Sequence, residues 1–127
     1  MENLVKDFLN QKSFAVAGSF RNETKVAYRI FKILREKGYE VFPVNPGVNE
    51  VEGVKCYPSI SDIHSKVDAM NIVTSPKVTE SIVKDCKKLD INRVWLQPGA
   101  ESKEIIEFCK DNSIDVIYGL CVMLEGK

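Results

Sequence analysis

Five short apolar runs, separated by longer stretches whose apolar residues recur at helical spacing, constrain this chain more than any other feature of its sequence. The runs are Phe14-Ala15-Val16-Ala17-Gly18, Glu40-Val41-Phe42-Pro43-Val44, Ala69-Met70-Asn71-Ile72-Val73, Arg93-Val94-Trp95-Leu96-Gln97 and Asp115-Val116-Ile117-Tyr118. Strands alternating with helices are joined by crossovers, so they pair in parallel and are buried on both faces. The clearest helix carries Val26, Ala27, Ile30, Phe31, Ile33 and Leu34 on one stripe and ends where Gly38 can adopt a left-handed conformation. Leu4, Val5, Phe8 and Leu9 mark a short amphipathic segment before the first run. Val78, Ile82, Val83, Cys86 and Leu89 mark a helix after the third, and Ile105, Ile106, Phe108 and Cys109 one over about 101–111. Residues 48–66 are expected to be irregular, with one helical turn capped by Ser59.

This pattern predicts an α/β fold: a Rossmann-like, doubly wound, parallel five-stranded sheet in a three-layer α/β/α arrangement, as a single domain over 1–127. In chain order of the runs, 3-2-1-4-5 is expected ahead of a flavodoxin-like order. Pro43 removes a ladder donor from the second run, which weakens a central position for it. Trp95, among apolar neighbours, is expected in the core.

Charge narrows the function classes. Lys plus Arg and Asp plus Glu number 18 each, so the net charge is zero, which argues against an electrostatic nucleic-acid binder. A phosphorylated small molecule remains compatible, because backbone N–H groups at a helix start hold phosphate without changing the total charge. No stretch approaches the roughly 20 apolar residues of a membrane span. Residues 1–7 carry charges where a signal segment would be apolar, so no membrane association and a cytoplasmic home are expected. Cys56, Cys86, Cys109 and Cys121 form no CxxC pair and read as small hydrophobes, with no metal site. His64, the single histidine, stands in a polar stretch and is expected on the surface.

In an open parallel sheet ligands bind at the carboxyl ends of the strands, which directs attention to loops 18–25, 45–48, 73–77, 97–101 and 119–122. In the first, Gly18 permits close backbone approach, Ser19 and Thr24 carry hydroxyls, and a helix beginning near Thr24 offers N–H groups to an anion. Arg21 and Lys25 add charge. Thr74, Ser75 and Pro76 form a second hydroxyl-bearing helix start, and Gln97-Pro98-Gly99 places an amide on the same rim. The nicotinamide fingerprint G-x-G-x-x-G is absent, and the second run ends in Val44-Asn45-Pro46 without the acidic ribose ligand, so NAD is disfavoured. Cys121 has no evident base beside it in sequence and is only a weak candidate nucleophile.

Several segments together resemble a known family. They are Val16-Ala17-Gly18-Ser19 with Lys25 and Tyr28-Arg29, Lys37-Gly38-Tyr39-Glu40-Val41-Phe42-Pro43-Val44-Asn45-Pro46, Tyr57-Pro58-Ser59-Ile60-Ser61-Asp62-Ile63, Val67-Asp68, Val94-Trp95-Leu96-Gln97-Pro98-Gly99 and Cys121. The chain is similar to the small stand-alone CoA-binding proteins and to the N-terminal CoA-binding domain of the succinyl-CoA synthetase α subunit. The resemblance implies a Rossmann-like domain holding the nucleotide part of CoA or an acyl-CoA at the carboxyl edge of the sheet. By residue, it implies Gly18, Ser19 and Phe20 at the phosphates with Lys25 nearby, and Asn45 and Pro46 bordering the adenosine. Val73, Thr74, Ser75 and Pro76 would then cover the opposite side, and Gln97 and Gly99 would flank the pantetheine exit. Three positions depart from the family pattern: Gly18-Ser19-Phe20 stands for Gly-Ala-Ser, Gly119-Leu120-Cys121 for Asp-Arg-Cys, and His64 for Pro. The phosphorylated histidine of the synthetase belongs to other parts of that enzyme, so ligase chemistry is not implied.

The expectation is therefore a binding protein for a small nucleotide ligand without catalysis of its own. The alternatives are an enzyme acting on a thioester or adenine nucleotide through Cys121, and an interaction module whose groove Phe20 and Leu120 have closed. No protein partner is indicated.

Overall fold

A computed structural model describes residues 1–125. The chain runs α1 (Glu2–Leu9), β1 (Ser13–Ala17), α2 (Val26–Glu36), β2 (Glu40–Val44), a hairpin of β3 (Glu50–Val51) and β4 (Val54–Lys55), and a single 3₁₀ turn over Ile60–Asp62. It continues through β5 (Ala69–Ile72), α3 (Pro76–Lys88), β6 (Arg93–Leu96), α4 (Lys103–Asp111), β7 (Asp115–Ile117) and α5 (Val122–Glu125).

Local chemistry sets the helix ends. At the end of α2, Gly38 has φ +95°, and the Gly38 and Tyr39 N–H groups donate to the carbonyls of Arg35 and Leu34, the paired bonds of a Schellman closure. The Ser102 hydroxyl accepts from the Ile105 N–H at 3.2 Å and starts α4. α2 begins at Val26 after Lys25, slightly later than expected, because Thr24 is held in a turn by the Asn22 side chain.

The five predicted runs form one parallel sheet in the order β2-β1-β5-β6-β7, the doubly wound α/β architecture expected. Alternate strand residues feed the two faces. Ala15, Ala17, Met70, Ile72, Val94 and Leu96 pack with Val83 and Cys86 of α3 and Ile105 and Cys109 of α4. Phe14, Val16, Ala69, Trp95 and Ile117 pack with α1, α2 and Val122. Trp95 is fully buried, as expected, and its indole N–H donates to the Leu120 carbonyl at 2.8 Å.

The strand order is a correction. In the numbering of the runs it is 2-1-3-4-5, not 3-2-1-4-5: the third run pairs with the first instead of lying outside the second. Two features account for this. Pro43 cannot donate to a ladder, which suits β2 to the sheet edge. That edge is closed by Tyr57, whose N–H donates to the Pro43 carbonyl and whose carbonyl accepts from the Asn45 N–H, both at 2.9 Å. The chain then crosses β1 through the 3₁₀ turn, with no α-helix between β2 and β5. The order reverses between β1 and β5, which places the crevice there.

Candidate functional site

At that reversal the backbones come unusually close. A Cβ on Gly18 would lie 2.6 Å from the Ala27 Cβ and 2.9 Å from the Val73 carbonyl oxygen. Gly18 therefore permits contact between the β1 end, α2 and the β5 end, a packing role beside the ligand approach expected from sequence. Asn45 fixes the third side: its side-chain N–H donates to the Gly18 carbonyl at 2.6 Å, and its Oδ1 accepts from the Gly47 N–H at 2.7 Å.

Because the β2–β5 crossover lacks a helix, the sheet beside α3 is only partly covered. The result is a groove of about 540 Å³, within the range of ligand pockets. Its rim is formed by Gly18, Ser19, Asn45, Pro46, Val73, Thr74 and Ser75, seven of the residues expected from sequence. It continues along the α3 stripe Val78, Ser81, Ile82 and Asp85, faced by Pro58, Ser59 and Ile60, with Ala17, Val44 and Met70 completing it. Sequence reading missed this inner half. The signal was present in the spacing i, i+3, i+4, i+7 from Val78 to Asp85, which puts two polar side chains on the same face as two apolar ones.

The other expected residues lie outside the groove lining. Phe20 is 4% exposed and packs edge-on to Phe31 at 6.1 Å, turned into the α2 side of the core instead of toward the phosphates. Leu120 packs with the same cluster, so neither residue lines the groove. Lys25 is half-buried at the start of α2, and Pro76 and Gly99 are exposed. Gln97 is buried: its Nε2 donates to Asn71 Oδ1 at 3.5 Å, and its Oε1 accepts from the Val122 N–H at 3.2 Å, tying α5 to the sheet. Cys121 is half-buried and outside the lining, and His64 is exposed.

The donor set fits the anionic part of a nucleotide. Helix α3 begins at the rim, its cap residue Ser75 in the lining, while α2 begins beside Gly18 at Ala27 with none of its residues in the lining; each leaves N–H groups of its first turn free of helical partners. Pro76 at the start of α3 removes a donor that would have had no helical partner. Ser19, Ser59, Thr74, Ser75 and Ser81 supply hydroxyls, with the Thr74 hydroxyl paired to that of Thr79 at 2.7 Å. Among the described residues no Lys or Arg lines the groove, and Asp85 is the one charged residue in the lining. An anion held here relies on backbone N–H groups and hydroxyls.

Comparison with known proteins decides the family. The model of the CoA binding domain matches residues 12–127. The chain belongs to the CoA binding domain family. Among relatives of this CoA-binding domain, the uncharacterized protein YneT of Bacillus subtilis is 27% identical over 119 residues, covering 93% of this chain and 88% of YneT. The ADP-forming acetate–CoA ligase II subunit alpha of Pyrococcus furiosus is 30% identical over 126 residues, covering 91% of this chain but 28% of the subunit. The chain thus spans under a third of the ligase subunit it matches. A conserved hypothetical protein from Pyrococcus furiosus has a closely similar structure, with a TM-score of 0.86 at 37% identity over 91% of this chain and 99% of its own. Among the described residues no helix is long and apolar enough to cross a membrane.

Proposed function

We propose that this CoA-binding domain holds CoA or an acyl-CoA through its nucleotide diphosphate in the groove, and carries out no catalytic step of its own. The observation that carries the reading is the meeting of the α3 start with a hydroxyl-rich rim in one groove at the reversal of strand order. In this reading the diphosphate accepts from N–H groups at the starts of α2 and α3 and from Ser19 and Ser75. Among the described residues the lining contains no histidine, lysine or cysteine to act as base or nucleophile. NAD is disfavoured at the β2 end, where the Asn45 amide is committed to Gly18 and Gly47 and no carboxylate stands ready for ribose hydroxyls.

The test is ligand-induced stabilisation. At a free concentration of 100 times Kd, a ligand that binds only the folded chain stabilises it by about 2.7 kcal/mol. CoA is expected to raise the melting temperature and NAD to leave it unchanged. Equal shifts with both, or no shift with CoA, overturn the reading.

A further inference from the structure

The groove is chemically polarised along α3. Its outer end, at the strand ends, holds the start of α3; Asp85 lies nine residues along α3 from Pro76, ~13 Å at the helical rise. Between them Val78 and Ile82 on one side and Pro58 and Ile60 on the other give apolar surface, interrupted by the hydroxyls of Ser81 and Ser59. Among the described residues no hydrogen bond or ion pair engages the Asp85 carboxylate. A ligand matching this layout is anionic at one end, flat and apolar in the middle, and presents a hydrogen-bond donor at the other.

We propose that Asp85 selects the base of the bound nucleotide, its carboxylate accepting from the exocyclic amine of an adenine held between Val78 and Ile82 on α3 and Pro58 and Ile60 opposite. The proposal rests on the CoA reading and extends it. A nucleoside reaches from its 5′-phosphate to the amino edge of its base over a span comparable with the groove, and an ionised carboxylate accepts but cannot donate. At the exocyclic position adenine offers an N–H donor, whereas hypoxanthine has a carbonyl oxygen there and its donor moved to the ring N1–H, so a carboxylate aimed at the exocyclic position loses its contact. The ribose lies next to the phosphates, near the rim, whereas the apolar walls leading to Asp85 suit an aromatic ring.

Calorimetric titration of the full chain with CoA and with its hypoxanthine analogue tests this. A hydrogen bond to a charged acceptor predicts that the wild type binds CoA tighter by about tenfold or more. In Asp85→Ala the preference disappears through weaker CoA binding. In Asp85→Asn, whose amide N–H can donate to the hypoxanthine carbonyl, it narrows or reverses. Both variants alter a half-buried side chain without a described partner and are expected to melt, ligand-free, as the wild type does. A preference unchanged by either substitution overturns the role of Asp85 while leaving CoA binding intact. A general loss of affinity at constant base preference overturns it in favour of a ribose contact. Failure of the wild type to bind CoA overturns the CoA reading and this inference with it.

Discussion

The Cys86 thiol is fully buried under α3, and burial first, then the neighbouring Cys109 and Asp85, push its pKa up to about 12. Burial pushes Cys109 up to about 11. Cys56 is raised as well, burial outweighing the opposing backbone contacts at Asn45 and Tyr57. At pH 8 a thiol with a pKa near 12 is ionised in only about one molecule in ten thousand, and the thiolate is the reactive form. An alkylating reagent at pH 8 is therefore expected to modify the half-buried Cys121 first and to reach Cys86 and Cys109 only after denaturation, with peptide mass spectrometry as the readout. Labelling of Cys86 in the native protein at the rate of Cys121 contradicts this burial. The small-hydrophobe reading of these cysteines was legible from the absence of any ligand spacing. The fate of Phe20 was not: a residue two positions after Gly18 stands equally close in sequence to the groove and to α2, and only packing against Phe31 turns it inward.

Among the elements, the pairing of β1 with β5 is clamped at its start by Asp68, whose carboxylate accepts from the Lys12 N–H at 3.2 Å and the Ser13 N–H at 3.1 Å, with Lys66 at 3.6 Å. Burial alone would raise the Asp68 pKa; the backbone donors and Lys66 outweigh it, and the pKa is lowered. A folded-state pKa below the unfolded value of about 3.9 gives stability that is present above that value and lost as pH falls through the folded pKa. Asp68→Ala is expected to cost about 1–3 kcal/mol by urea denaturation at pH 7, the worth of hydrogen bonds to a charged group, with the gap to wild type closing in acid. A gap as large at pH 2 as at pH 7 contradicts that origin. Helix ends were the most legible part of this level, since Gly38 and Ser102 act through bonds to residues within one turn. Pro43 also carried the information that β2 stands at the edge; its missing donor is a local fact whose consequence for strand order is global.

For the molecule as a whole, β1, β5 and β6 each have a strand on both sides, whereas the β3–β4 hairpin pairs two residues with two outside the main sheet. Amide exchange is accordingly expected to be slowest in β1, β5 and β6 and orders of magnitude faster in the hairpin. A hairpin as protected as β1 would contradict the arrangement. The rim of the groove was readable because strand ends and helix starts are local features, and seven rim residues follow from where the apolar runs stop. Its inner half required tertiary structure: Pro58 to Ile60 face Val78 to Asp85 only because the crossover from β2 returns over β1 without a helix. By itself, the sequence determined five parallel strands, their covering helices and the positions of the strand-end loops, since periodicity and capping act over a few residues. Which strands are neighbours, and hence the depth of the groove and the placement of Asp85, was decided only in three dimensions, where a proline at one edge and a bridge at Tyr57 outweigh the pattern of any single segment.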